Sequence, residues 1–116
     1  VDDSIVRGTT SKQLVHLLKE ANPKSIHLRI SSPPIMHPCF YGMDFPSSQE
    51  LIAFQKNGNI EEIKKYLEVD SLEYLTIDEL LEAVSEAGKD NFCTACFSGR
   101  YPTNVDTNFK KEMYEV

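Results

Sequence analysis

Two sets of residues in this 116-residue chain have types and spacings that could do chemistry. The first is the opening run Val1-Asp2-Asp3-Ser4-Ile5-Val6-Arg7-Gly8-Thr9-Thr10-Ser11. It reads as the end of a strand, two carboxylates, a short loop with a glycine, and threonines opening a helix. Gly8 permits a tight turn and a close approach of backbone to ligand. The N–H groups of Arg7 to Thr10, the hydroxyls of Thr9 and Thr10 and the positive end of the helix dipole suit a phosphate monoester. Asp2 and Asp3 would repel that phosphate if they faced it. They fit better as acceptors for the two vicinal hydroxyls of a ribose, near a Mg²⁺ that carries further phosphate. The run is neither a Walker A loop nor a G-x-G-x-x-G fingerprint. On these residues alone a plainer reading stands beside it, an acidic turn followed by a well-capped helix.

The second set is Cys39 with Cys93-Thr94-Ala95-Cys96. Three cysteines fit a disulfide framework badly and suit a metal or thiol site better. A redox C-x-x-C wants a strand-to-helix junction, and Asn91-Phe92 is a poor strand. Zinc could use Cys39, Cys93, Cys96 and His37, although Pro38 between His37 and Cys39 hinders both from reaching one ion. An iron–sulfur site is a third reading and three unrelated buried thiols a fourth.

The elements that must position these residues follow from spacing. Thr9-Thr10-Ser11 supplies N-cap oxygens ahead of Leu14, Val15, Leu17, Leu18 and Ala21, which share one helical face, and Asn22-Pro23 ends that helix. Ile26, Leu28 and Ile30 alternate with polar residues as in a half-buried strand. Strand end, helix and strand make a βαβ unit, and hence a parallel sheet in an α/β fold. Residues 31–46 are broken by Pro33, Pro34, Pro38 and Pro46 and read as a long loop, of a length that is usually functional or ordered by something. Ser47 with Glu50, Asn59 with Glu62 and Thr76 with Glu79 have capping-box spacing. They introduce helices over Leu51–Gln55, Ile60–Leu67 and Ile77–Ala87, with Gly58 and Gly88 as C-terminal glycines. Residues 71–75 read as a short extended link, and 89–103 as a loop holding Cys93 and Cys96. The tail after Pro102 is polar and loosely held. His16 and His27 are expected to face solvent or satisfied contacts, Phe40-Tyr41 to lie beside the metal loop, and Arg100 to sit on the surface. Met36, Met43 and Met113 form no stripe.

Charge and composition narrow the class of protein. A net charge of −6 argues against a general nucleic-acid binder or an anionic-membrane binder. The imbalance lies in residues 47–116, with seven basic and fourteen acidic residues, whereas residues 1–46 carry five and four. Anion chemistry therefore belongs to the first part. At 41% hydrophobic the chain can build a core, and no apolar run is long enough to span a membrane.

Residues 1–11 closely resemble the phosphoribosyl-pyrophosphate (PRPP) motif of type I phosphoribosyltransferases, in the form associated with the amidophosphoribosyltransferases. Arg29-Ile30-Ser31-Ser32-Pro33-Pro34, His37-Pro38-Cys39-Phe40-Tyr41-Gly42-Met43-Asp44 and Asp70-Ser71-Leu72-Glu73-Tyr74-Leu75 resemble the same family, so that the likeness covers most of residues 1–103. It implies an α/β fold with part of a type I phosphoribosyltransferase-like parallel sheet in residues 1–46. A helical C-terminal extension with the C-x-x-C and the polar tail follows in 47–116. It assigns Asp2 and Asp3 to the ribose hydroxyls and Mg²⁺, and Ser4, Arg7, Gly8, Thr9 and Thr10 to phosphate. One branch of the family carries a [4Fe-4S] cluster on four cysteines, and Cys39, Cys93 and Cys96 fall where three of them lie, with the fourth outside this chain. In that branch the cluster is structural and oxygen-sensitive.

The implied reaction opens purine synthesis: glutamine is hydrolysed in another domain, and its ammonia displaces pyrophosphate from PRPP to give phosphoribosylamine. Relatives that transfer ribose phosphate to a base use an acidic loop residue for the base's proton; here Val6 or Arg7 stands instead, and neutral ammonia needs no such base. No catalytic residue is assigned within this chain, and none of its cysteines is given the role of the glutaminase nucleophile. Nucleotide feedback inhibitors, a homo-oligomeric parent and a cytoplasmic location are implied as well. The start at Val1, without a Met, reads as a piece of a longer protein, expected to be poorly stable and inactive by itself. A base-type phosphoribosyltransferase, a non-catalytic PRPP sensor and a zinc-stabilised structural module are the rival readings. Burial is not expected to hold the proline-rich loop to the C-terminal segment, so a metal cluster is expected to pin the two.

Overall fold

The computed structural model describes residues 1–45 and 47–105; Pro46 and the part of the tail from 106 onward, Met113 included, lie outside the described residues. Helix α1 covers Thr9–Lys19 and strand β1 His27–Ile30. After the proline-rich loop come a 3₁₀ turn at Ser48–Glu50, α2 over Ile52–Gln55 and α3 over Ile60–Leu67. Strand β2 is Ser71–Tyr74, α4 is Ile77–Ala83, and a one-turn helix, α5, covers Ala95–Ser98. Among the described residues no helix is long and apolar enough to cross a membrane.

The sheet is parallel. Strand β1 pairs with β2 in the register His27–Ser71, Leu28–Leu72, Arg29–Glu73 and Ile30–Tyr74. On its other edge β1 meets the first residues of the chain: Asp2 donates its N–H to Arg29 O at 3.0 Å, and Ser31 donates to Asp2 O at 3.0 Å. This is a parallel bridge between Asp2 and Ile30. The carboxylate pair thus sits where a parallel bridge to β1 gives way to the loop before α1, in keeping with the βαβ pattern.

Helix α3 packs on β2 and on α1 and α2. Val15, Leu28, Ile30, Ile52, Ile63, Leu67 and Leu72 form a core with Ile5 from the loop before α1. Helix α3 has the most regular local logic, since Asn59 accepts from Glu62 N at its start and buries Ile63 and Leu67 four residues apart.

Several expectations are corrected. Residues 71–75 are not a simple link, because Leu72 alternates with polar neighbours and pairs along β1, so residues 47–116 add a strand to the sheet besides their helices. The N-cap of α1 is Gly8, at φ +84°, with no side-chain cap, and Thr9 and Thr10 are already helical. Ser47 does not build a capping box; its hydroxyl meets the Glu50 side chain at 3.2 Å instead. Only Thr76–Glu79 shows both reciprocal bonds of the box among these three sites. The helix from Ile77 ends at Ala83 and continues as 3₁₀ turns, and Cys96 lies on α5 rather than in a loop. Of the apolar face of α1 only Val15 is buried; Leu14, Leu17 and Leu18 are 42%, 63% and 46% exposed, because the helix rests on Ser11 and Val15.

Candidate functional site

All seven residues expected at the phosphate loop line one cleft of about 280 Å³: Asp2, Asp3, Ser4, Arg7, Gly8, Thr9 and Thr10, with Val6 and Ser11. Its floor is the amino end of α1. A helix leaves its first N–H groups without intrahelical partners, and here no side chain caps them. The glycine at the N-cap adopts the left-handed conformation that turns the chain into the helix. Thr9 and Thr10 are exposed, so their hydroxyls stand at the same helix end as these amides. The absent cap is the local feature that a spacing argument misreads: Thr9-Thr10-Ser11 looks like capping chemistry, and the structure leaves it for something else.

The two aspartates are oriented by the backbone that follows them. Asp2 Oδ1 accepts from Asp3 N at 2.8 Å, and Asp3 Oδ1 accepts from Ser4 N at 2.7 Å. Each carboxylate is held by one oxygen and keeps a second acceptor oxygen, the donor set that vicinal hydroxyls or a hard divalent ion would use. Arg7 Nε pairs with Glu50 Oε1 at 3.7 Å across exposed surface, a weak contact that an anion in the cleft can displace.

The loop is backed by residues that its motif does not contain. Ile52 N donates to Val6 O at 3.0 Å. A Cβ placed on Gly8 would lie 3.0 Å from Tyr66 Cε1 and 3.5 Å from Ile52. Lys12 Nζ sits 4.3 Å from the centroid of the Tyr66 ring. Sequence reasoning misses Ile52 and Tyr66 because they lie far along the chain on α2 and α3, with helical core spacing as their only signal.

The cysteine region is assembled from two segments. Met36 N and His37 N both donate to Cys96 O, at 2.9 and 3.0 Å. Tyr101 Oη donates to Pro38 O at 2.7 Å, and the Phe40 ring meets Tyr101 edge-on at 5.1 Å between centroids. The His37 imidazole rests on Gly99, where a Cβ would fall 2.8 Å from Nε2. The proline-rich loop is therefore fastened to the C-terminal segment by hydrogen bonds and rings, contrary to the expectation that only a metal could pin it. Burial raises the Cys96 thiol above its ordinary pKa, and the Cys39 and Cys93 sulfurs add to the rise. Cys39 Sγ also accepts from Tyr41 N at 3.3 Å. Cys39 and Cys93 thus lie within electrostatic range of Cys96. Among the described residues no three His, Cys, Asp or Glu side chains form a group that could hold a metal ion. The three soft thiols still match the donor chemistry of an iron–sulfur group, whose cysteines bind different irons and stand farther apart than the ligands of a single ion.

Elsewhere the expected contacts are satisfied ones: His16 Nε2 pairs with Glu68 Oε2 at 2.8 Å, and His27 bonds Ser71 Oγ and Ser25 Oγ. A second, larger cavity of about 620 Å³ opens at the carboxyl end of β2, walled by Pro33, Met36, Leu72, Tyr74 and Phe97. Burial pushes the Tyr74 hydroxyl up to about 12, and it has no hydrogen-bond partner among the described residues.

No family model matches the chain. Over 111 residues, 96% of its length, it is 50% identical to the amidophosphoribosyltransferase of Synechococcus elongatus, of which it covers 22%. Over 108 residues, 90% of its length, it is 46% identical to the amidophosphoribosyltransferase of Bacillus subtilis, again covering 22%. Among solved structures, the glutamine PRPP amidotransferase of B. subtilis complexed with ADP and GMP superposes on 92% of the chain with a TM-score of 0.80 and 43% identity, and the chain covers 24% of it. A second structure, described as the allosteric regulatory enzyme of purine biosynthesis, gives 0.81 and 43%. The chain spans about a fifth of the length of the curated relatives it matches.

Proposed function

The chain is related to the amidophosphoribosyltransferases over at least nine-tenths of its length, and from that premise we propose that residues 2–10 bind PRPP in an enzyme of that activity. One observation carries the proposal. An uncapped helix amino end and a pair of backbone-oriented carboxylates face the same 280 Å³ cleft, one suited to phosphate and the other to ribose hydroxyls. The amides of the α1 amino end and the hydroxyls of Thr9 and Thr10 hold the 5-phosphate, with the helix dipole adding to the attraction. Asp2 and Asp3 accept from the ribose 2- and 3-hydroxyls and fix the sugar's orientation. They would also hold Mg²⁺, which neutralises the charge of the departing pyrophosphate.

Ammonia, formed from glutamine elsewhere in the parent, then attacks C1 as the bond from C1 to the pyrophosphate oxygen breaks. No carboxylate lies between Ser4 and Thr10 to act as a base, and neutral ammonia needs none. The role of the loop is positioning and charge complementarity.

Cys39, Cys93 and Cys96 would supply three thiolates to an iron–sulfur cluster, whose role there is structural. The three soft thiols, and the fastening of the proline-rich loop of Cys39 to the segment of Cys96, support this reading. Nucleotides such as those in the B. subtilis complex are proposed as feedback ligands of the parent, which works in the cytoplasm as an oligomer. In a full-length enzyme carrying this segment, Asp3→Ala should lower PRPP-dependent synthesis with ammonia by about a hundredfold. Unchanged turnover would overturn the assignment of the loop.

A further inference from the structure

The phosphate loop's conformation depends on a contact that lies outside it. Gly8 sits at φ +84°, and the side on which a side chain would stand is closed by Tyr66 Cε1 at 3.0 Å and by Ile52 at 3.5 Å. The Tyr66 ring is itself fixed. It belongs to α3, whose Ile63 and Leu67 are fully buried, and its face carries the Lys12 ammonium at 4.3 Å while its edge meets Gly8. A cation on the face and a backbone at the edge together set the plane of the ring. Lys12 in turn closes the first turn of α1 by donating its N–H to Gly8 O at 2.9 Å. Gly8, Lys12 and Tyr66 form a closed set of contacts directly behind the amides that line the cleft.

We propose that Tyr66 is a positioning residue for the phosphate loop, its ring edge holding Gly8 in the left-handed turn that aims the free amides of α1 into the cleft. The ring and not the hydroxyl does this, since the near atom is Cε1. This rests on the reading of residues 2–10 as the PRPP site and adds a residue that the motif does not contain.

The ester phosphate is bound equally in substrate and transition state, so loosening the loop should raise KM for PRPP and leave kcat nearly unchanged. In a full-length enzyme carrying this segment, Tyr66→Leu should raise that KM about tenfold with kcat within about twofold, and Tyr66→Phe should match the parent. Backbone amides of residues 5–11 should exchange hydrogen faster in Tyr66→Leu and not in Tyr66→Phe. If Tyr66→Leu fails to fold, Tyr66→Met carries the same comparison with a longer, unbranched side chain. An unchanged KM in Tyr66→Leu, a Tyr66→Phe variant as impaired as Tyr66→Leu, or a fall in kcat alone would overturn the proposal. A parent enzyme that does not use PRPP would instead overturn the reading of the site, and the exchange comparison would still decide whether Tyr66 holds the loop.

Discussion

Residues 2–11 make their cleft from one continuous stretch of chain, whereas the loop of Cys39 is joined to the segment of Cys93 and Cys96 across more than fifty positions of sequence. In the first region a strand end, a left-handed glycine and an uncapped helix follow one another, and each places the next. In the second, no regular element spans the gap. The loop is brought to α5 by two N–H groups on Cys96 O, a tyrosine hydroxyl on Pro38 O and a histidine ring lying on a glycine. A contiguous site carries most of its geometry in its own residues and borrows only its backing, here Tyr66 and Ile52, from elsewhere. A site joined at long range takes it from neighbours that do no chemistry themselves.

The largest expected effect falls on the second region. The parent purified without oxygen should be brown, with about four irons and four sulfides per chain, and Cys93→Ser should lose both iron and colour. Metal analysis and the visible spectrum check this. A colourless protein holding one zinc would replace the cluster with a Cys39, Cys93, Cys96 and His37 set, and a metal-free, air-stable active enzyme would eliminate both.

A smaller effect separates the fastening from the metal. Tyr101→Phe removes the hydrogen bond to Pro38 O and should destabilise the fold by about 1 kcal/mol. Hydrogen exchange at Met36 and His37 should accelerate, with or without metal. If those amides are protected only when metal is bound, the protein contacts do not fasten the loop.

The smallest effect lies at the far end of α1 from the phosphate loop, where His16 meets the end of α3. The hydrogen bond from His16, then the charges of Lys19 and His16, hold the Glu68 carboxyl below the usual carboxylate range. A depressed carboxylate pKa contributes stability that is present above the unfolded value and lost as pH falls through the folded one. His16→Ala should therefore raise the Glu68 pKa in an NMR titration and flatten the acid side of the stability profile. An unmoved Glu68 titration would show that the pair is not formed in solution.

The same contrast explains what could be read from sequence. Asp2-Asp3 at a strand end and Gly8 ahead of a helix are local and keep their meaning in isolation, as do the Asn59 and Thr76 caps. Ser71–Tyr74 could not be read as a strand of this sheet, because four residues with one buried leucine become β2 only by pairing with β1. Thr9 and Thr10 look like caps by type, and only the backbone shows that Gly8 occupies the cap position. Tyr66 and Tyr101 act through contacts made across the fold, so nothing near them in sequence marks them.

The central claim is that the amides at the α1 amino end, opened by Gly8, bind the phosphate of PRPP. Calorimetric titration of PRPP into the full-length enzyme and into its Gly8→Val variant tests this most directly. A valine at φ +84°, facing Tyr66 Cε1 at 3.0 Å, must displace the loop. The parent should bind PRPP, and the variant should remain folded by circular dichroism and bind about a hundredfold more weakly. A folded Gly8→Val enzyme that binds PRPP as tightly as the parent would contradict the account.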